Sequence, residues 1–311
     1  MKVHSCPGCD YSDNLIVGHA DELVEMHQGR QFVQHQYNVC RCKRCGLYFK
    51  DEVLDEKNLT EYYNSFDSTV WNPKYPYPTE TWVEREINKC APNGLSILDY
   101  GCSDGRFLER FVKEHDCYGF DIDERSVKIA SGKGIKMIKS GDLEDGKLVF
   151  DVVILSDVLE HSFKPTELVR KLFMSLKPNG KLLVSTGYAD SSFVRFDISN
   201  YWYFRTVQHV VMMSGEYIEY LKATLNAKVP NLKICSHYDS SMKEKLISGL
   251  KFRLRFFLFK YISSDKTTWY HSIISSLPYL SRITKWKYQP YHPFVKDHVV
   301  IVFERQKFIK L

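Results

Sequence analysis

"SILDYGCSDGRFLERF", Ser96 to Phe111, decides the fold. An apolar run ends at Asp99, passes Gly101, Ser103 and Gly105, and continues into a segment with helical spacing, Arg106–Glu114. Strand, tight glycine turn and helix bring a ligand against a helix N-terminus, where free backbone N–H groups face it. The same alternation continues downstream. "LSILD", "DCYGFD", "IKMI", "FDVVILS" and "KLLVST" are short apolar runs, separated by helical segments at Glu124–Ser131 and Thr166–Leu176. Runs without polar alternation suit parallel strands covered on both faces. "KPNGK" at 177–181 reads as a helix stop and turn, "SGEYIEYLKATLNA" predicts a helix, and "LKICSHY" and "DHVVIVFERQ" predict two further strands.

The chemistry of the glycine turn narrows the ligand. A dinucleotide fingerprint wants three glycines and, about twenty residues on, an acid for the ribose. Here two glycines stand at a different spacing, with the carboxylate of Asp99 at the strand end. That carboxylate repels a pyrophosphate and welcomes an ammonium group. "YGFDID" puts Asp121 at the end of the second strand, where it can accept both ribose hydroxyls, and Asp142 in "SGDLED" can accept from an adenine amino group. Amine, ribose and adenine together describe S-adenosylmethionine.

At this point the sequence resembles the class I S-adenosylmethionine-dependent methyltransferases. Five motifs carry the resemblance in order from about Leu95 to Gly187: "ILDYGCSDG", "YGFDID", "GDLED", "FDVVILSDVLEH" and "LKPNGKLLVST". It implies a Rossmann-like α/β fold, with a seven-stranded, mostly parallel sheet whose final strand is antiparallel. It also implies that Asp99, Gly101, Ser103 and Gly105 hold the methionyl part and Asp121, with Ile122 beside it, the ribose. Asp142 with the backbone of Leu143 then holds the adenine, and Ser156 closes the fourth strand next to the site. Ser103 stands where the family commonly has glycine.

"LSDVLEHSF" follows the fourth strand, where the family places substrate-facing residues. Asp157, Glu160 and His161 fall at i, i+3 and i+4, so one helix face can carry all three. Methyl transfer to oxygen needs an aligned acceptor and a group to take the hydroxyl proton. His161 is the best base by chain position, and His209 in "FRTVQHVVMMS" is a second imidazole. An acid-x-x-Glu-His segment plus a later His also resembles the metal site of small-RNA 2′-O-methyltransferases and ubiquinone-pathway O-methyltransferases. A divalent ion would there hold and acidify the acceptor hydroxyl. A purely structural role for the Glu-His pair stands beside both readings.

Nine cysteines fall into two groups, five within the first 45 residues and four scattered. Cys6-Pro-Gly-Cys9 and Cys42-Lys-Arg-Cys45-Gly46 form two C-x-x-C knuckles, which folded face to face supply four thiolates for tetrahedral zinc. Cys40 is too close to Cys42 for the usual knuckle and is left over. Four thiolates leave no open position, so the expected zinc is structural. The knuckles followed by "EYYNSF" resemble a bacterial subset of these methyltransferases found among enzymes of surface polysaccharide and modified-sugar synthesis.

The net charge of +5 is uneven: residues 241–296 hold eleven Lys and Arg against Glu244 and Asp265. The segment "KFRLRFFLFKYISS" and the aromatics Trp269, Tyr270, Tyr279, Trp286, Tyr288 and Tyr291 admit three readings. These are a lid over the site, peripheral membrane contact through 251–262, and a nucleic-acid surface. The expected organisation is a zinc ribbon at 1–50, an aromatic connector and helix at 51–94, the methyltransferase core at 95–238, the basic lid at 239–296 and a final core strand at 297–311. The opening "MKVHSCPGCD" lacks the apolar stretch of a secretory signal, and no window reaches ~18 apolar residues, which predicts a cytoplasmic protein without a spanning helix. The expected function is O-methylation of a sugar hydroxyl in bacterial capsule or lipopolysaccharide synthesis. The rivals are an RNA methyltransferase, a C-methyltransferase on a nucleotide deoxysugar, and a non-catalytic cofactor-binding scaffold.

Overall fold

Alternating short strands at the N-terminus and continuous apolar runs in the middle give separate sheets in the computed structural model: a four-stranded sheet and a two-stranded hairpin from the former, and a seven-stranded sheet from the latter. It describes residues 1–65, 76–90 and 93–237 apart from 144, 145, 147, 192, 193, 196, 197 and 200, then 295–306, with 242, 243, 246, 247 and 250 besides. The first fifty residues form β1 (Asn14–Ala20), β2 (Leu23–His27), β3 (Arg30–Gln34), β4 (Tyr37–Cys42) and β5 (Tyr48–Lys50). The β2–β3 hairpin turns at Gln28 and Gly29, both in the left-handed region. Helix α1 (Glu56–Asn64) is capped by Asp55, whose side chain accepts from the Asn58 N–H, and α2 (Pro78–Asn88) starts on a proline at its first position.

The central sheet contains β6 (Ser96–Tyr100), β7 (Asp116–Phe120), β8 (Lys136–Met137), β9 (Phe150–Ser156) and β10 (Leu176–Gly187), all parallel. Helices α3 (Glu124–Gly132) and α4 (Pro165–Met174) provide crossovers. After the two-residue β11 (Val211–Met212) and α5 (Gly215–Leu225), strands β12 (Lys228–Cys235) and β13 (His298–Glu304) complete the sheet. The order is β12-β13-β10-β9-β6-β7-β8, with β13 antiparallel to both neighbours. This is the class I methyltransferase fold, with β6 and β9 at the point where strand order reverses. Apolar side chains of β6, β9, β10 and β13 are buried on both faces, as their unbroken apolar runs require.

Two local expectations need correction. After Gly105 the chain follows a helical path, but only Leu108–Arg110 forms a regular turn, and it is a 3-10 turn. Its bonds mix spans of three and four residues, Phe111 to Leu108 and Glu109 to Gly105, because Phe107, Leu108 and Phe111 all turn inward. "KPNGK" is not a gap between helix and strand: β10 runs through it with a register shift between Leu176 and Lys181, and Asn179 sits at φ +63°. Most of 239–296, including 251–262 and the six aromatics singled out there, lies outside the described residues.

The N-terminal strands join the core through backbone pairing. In the order β1-β4-β5-β11, β5 pairs with β11, so Phe49 faces Val211. A 3-10 turn, Trp202–Arg205, packs under this junction. There Tyr203 is fully buried, and its hydroxyl accepts from the Gly187 N–H at 3.0 Å. A Cβ at Gly187 would stand 2.2 Å from the Tyr203 ring. Gly187→Ala should therefore cost about 1–3 kcal/mol of stability by overpacking, read as a lower urea midpoint. An unchanged midpoint would show that the contact yields freely.

Candidate functional site: a cavity at the sheet's switch point

The C-terminal ends of β6, β7 and β9 open into a cavity of about 830 Å³. Ligands of open α/β sheets bind at this position, since diverging crossovers leave a crevice there. Gly101 leaves β6 at φ +90°, and a Cβ there would meet Val158 Cγ2 at 2.3 Å. Ser103 follows at φ +49°, a backbone that usually calls for glycine. Its N–H donates to Asp121 Oδ2 at 2.8 Å, while the Asp123 N–H donates to Oδ1 at 2.9 Å. The Asp121 carboxylate is thus fixed at the cavity wall. Ile122 beside it is 57% exposed, an apolar platform facing the same space.

Of the nine cofactor candidates, Gly101, Ser103, Asp121 and Ile122 line the cavity. Asp99 is buried behind them, and burial together with Asp121 pushes its carboxyl up to about 7. Gly105 packs against Ile135 and Ala130 instead. Asp142 is exposed, its carboxylate accepts from the Lys139 N–H at 2.7 Å, and it stands outside the lining. Leu143 is buried in the same 3-10 turn, and Ser156 ends β9; neither lines the cavity.

The same cavity is also lined by the candidates for chemistry. Asp157, Glu160 and His161 do not share a helix face: Asp157 stands at φ +51° before a single 3-10 turn, Leu159–His161. A 3-10 turn advances 120° per residue, so the predicted i, i+3, i+4 stripe does not form. Glu160 is 2% exposed and accepts from Thr186 Oγ1 at 2.8 Å. His161 Nδ1 lies 3.1 Å from the Gln208 carbonyl, and His209 Nδ1 lies 2.8 Å from the Tyr203 carbonyl. A carbonyl only accepts, so both Nδ1 atoms carry the hydrogen and both Nε2 atoms keep a lone pair. Burial, then repulsion from His161, holds His209 well below the usual imidazole range. One donor atom each of Glu160, His161 and His209 lie within 4.8 Å of one another.

Sequence reasoning missed a second group on the same cavity. His237 follows β12 and His298 begins β13, and the antiparallel ladder that sets Cys235 opposite His298 brings the two rings to a 4.2 Å stack. Buried Asp297 accepts from His298 Nδ1 at 3.0 Å, from Trp202 Nε1 at 3.3 Å and from the Tyr201 hydroxyl. Burial opposes both charges, yet Asp297 stays below and His298 above its ordinary range because each holds the other. The signal was available: two histidines at the ends of strands already expected to close one sheet. Tyr63 on α1 was passed over too, although it lines the cavity edge-on to His161.

The cysteine knuckles converge away from this cavity. Sγ of Cys6 lies 3.5 Å from that of Cys45, and Cys9 stands equally close to Cys42; all four lie within 4.8 Å of one another. Cys40 is buried outside the cluster. Backbone N–H groups of Gly8 and Arg44 point at Cys6 and Cys42 sulfurs at 3.4 Å each. The Cys45 hydrogen bond pulls Cys6 down to about 6, while burial pushes Cys9 up to about 12. Four thiols at these distances are compatible with a tetrahedral structural metal.

Residues 76–229 match the family model described as "Methyltransferase domain". The Ubiquinone biosynthesis O-methyltransferase of Leptothrix cholodnii is 28% identical over 116 residues, covering 34% of this chain and 48% of that protein. The protein of the same name from Idiomarina loihiensis is 34% identical over 103 residues, covering 30% and 42%. The chain spans about half the length of the curated relatives it matches. Among solved structures, a SAM dependent methyltransferase from Archaeoglobus fulgidus aligns with a TM-score of 0.46 at 18% identity, over 81% of this chain and 100% of that one. N-methyltransferase NodS from Bradyrhizobium japonicum, in complex with S-adenosyl-L-homocysteine, aligns at 0.45 and 12% identity, over 79% and 96%.

The buried carboxyl at Asp99 sets a pH dependence. Its native pKa of about 7 exceeds the unfolded value of about 3.9, so between these values the native state binds more protons than the unfolded one. Stability from this group is therefore present at low pH and lost as pH rises toward 7. Asp99→Asn should flatten that loss, leaving the ligand-free protein on the order of 3 kcal/mol better off at pH 8 than the parent, relative to pH 5. Denaturant midpoints at the two pH values test this; parallel changes in both proteins would remove Asp99 as the cause.

Proposed function

We propose, for a chain whose central half is a methyltransferase domain of the class I fold, transfer of a methyl group from S-adenosylmethionine to a hydroxyl oxygen held in the cavity. The carrying observation is one cavity lined by Asp121 and Ile122 and also by Glu160, His161 and His209. The first pair suits the cofactor: Asp121 offers fixed acceptor oxygens to a ribose, and Ile122 an apolar face to a base. Asp99 and Asp121, both raised by burial, favour a cationic ligand over a phosphate. When bound, the sulfonium supplies an electrophilic methyl carbon. The chain's own residues align the acceptor oxygen behind it, and His161 takes the hydroxyl proton on Nε2 as the new C–O bond forms and the C–S bond breaks.

The convergence of Glu160, His161 and His209 favours a second reading of the same step. Those three residues would hold a divalent ion, which supplies charge to acidify the acceptor hydroxyl. The acceptor in the first reading is a sugar hydroxyl of a bacterial glycan, supported by aromatic cavity walls at Tyr63, Tyr77 and Trp202 on which a sugar ring can stack. The relatives named for O-methylation in ubiquinone biosynthesis support a hydroxyl of a ubiquinone precursor instead. Structural zinc at Cys6, Cys9, Cys42 and Cys45 completes the proposal, and these free thiols suit the reducing cytoplasm. No described helix is long and apolar enough to cross a membrane.

S-Adenosylmethionine with a labelled methyl group, offered to separated nucleotide sugars, lipid-linked glycans, quinone precursors and RNA, tests the acceptor. Label in a sugar fraction supports the first reading; label in quinone precursors or RNA moves the assignment there. Asp121→Ala should weaken S-adenosylhomocysteine binding at least tenfold by calorimetry with the melting temperature kept, and unchanged affinity would sink the cofactor assignment. His161→Gln should lower kcat by about 10²–10⁴, with cofactor affinity retained. For zinc, Cys42→Ser should lose the metal and the cooperative melt of the N-terminal strands, whereas Cys40→Ser should keep one equivalent.

A further inference from the structure

We propose that Asp157, His237 and His298 form a second divalent-cation site, distinct from the Glu160–His161–His209 group and independent of the identity of the methyl acceptor. One donor atom of each residue lies within 4.8 Å of the other two, and all three line the cavity. Two imidazoles and one carboxylate with room beside them suit a first-row cation such as Mn²⁺, Fe²⁺, Co²⁺ or Zn²⁺. The open positions face the cavity, where an oxygen of a bound molecule can enter.

Three features mark the group as built. Asp157 Oδ1 is shielded from solvent and accepts no hydrogen bond among the described residues, although the side chain as a whole is only half-buried; a cation or a proton at that oxygen offsets the cost. It lies 3.9 Å from His298 Nε2, too far for a hydrogen bond and close enough for both atoms to share one ion. Its backbone is held at φ +51°, where an aspartate is uncommon, and the N–H donates to Ser185 at 2.8 Å to fix that conformation. Behind the site, Asp297 accepts from His298 Nδ1 and thereby turns Nε2 toward Asp157. A carboxylate behind a ligating imidazole fixes its tautomer and orientation. The same Asp297 carboxylate accepts from the His237 backbone N–H at 3.2 Å, so one buried residue positions both histidines.

The acid-x-x-Glu-His segment is therefore divided. Its first acid sides with the histidines of β12 and β13, and its Glu-His pair sides with His209.

Mn²⁺ reads this site while ignoring the thiolates, which favour softer ions. The zinc-loaded full chain is titrated with Mn²⁺, and the electron paramagnetic resonance signal of the free ion is followed. A His161→Gln background weakens the neighbouring group. In that background one Mn²⁺ should remain bound. His237→Gln and Asp157→Asn should each raise its Kd at least tenfold, and Asp297→Asn should raise it by about 10–100-fold. His237 stands at the cavity wall, so its substitution keeps the test open should changes at buried Asp297 prevent folding. No bound Mn²⁺ in the folded His161→Gln protein overturns the proposal. So does binding that is indifferent to His237→Gln and Asp157→Asn.

Discussion

One short segment, Thr206 to Met213, is held from both sides, and the reactive wall of the cavity depends on it. From the N-terminal sheet, the Lys50 N–H donates to the Val210 carbonyl at 3.0 Å, and the buried Lys50 side-chain amino group, which burial pushes well below the usual lysine range, donates to the Thr206 carbonyl. From the core, Val210 N–H donates to the Glu160 carbonyl at 2.8 Å and Met213 N–H to Gly187 at 3.2 Å. Gln208 then meets His161 through its own carbonyl. His209 is carried between these clamps. A loop tied to two sheets has few conformations left, which is how an imidazole is placed to within a fraction of an ångström before any ligand arrives.

The cysteine knuckles reach the same segment by a short route. Thr166 at the start of α4 donates to the Gly8 carbonyl at 2.6 Å, and Ser214, which caps α5, donates to Gly46 at 2.8 Å. Met212 and Met213 lie between that cap and His209. Three of the four cluster thiols sit in the same apolar core as β9, β10 and α5. A metal held by the knuckles would therefore stiffen the base of the reactive wall.

Much of this was legible in the sequence for a simple reason. Strands β6, β9 and β10 are buried on both faces, so their apolar runs are continuous, and Asp99, Gly101 and Asp121 stand at or next to strand ends in an order set by connectivity. Asp142 shows the limit. It follows β8, but a two-residue strand fixes little about where the next turn points, and its carboxylate turns back to Lys139. Asp157 was assigned by helical spacing, which failed because the positive φ at that residue replaces the helix with one tight turn. His237 and His298 were hidden by distance: sixty residues of chain separate them, and only the register of β12 on β13 joins them.

Electrostatics gives the division between the two donor groups its meaning. Burial and the nearby Glu160 lift Asp157 to about 7. In the arrangement adopted, each carboxylate is given its own pair of imidazoles: Glu160 has His161 and His209, and Asp157 has His237 and His298. A single cation shared by all of them would have to draw in a residue at left-handed φ that the Ser185 carbonyl holds in place. Cations held at both groups would relieve the repulsion without moving the backbone. The cavity would then offer a bound acceptor two points of attachment, which fixes its orientation where one point would leave it free to rotate.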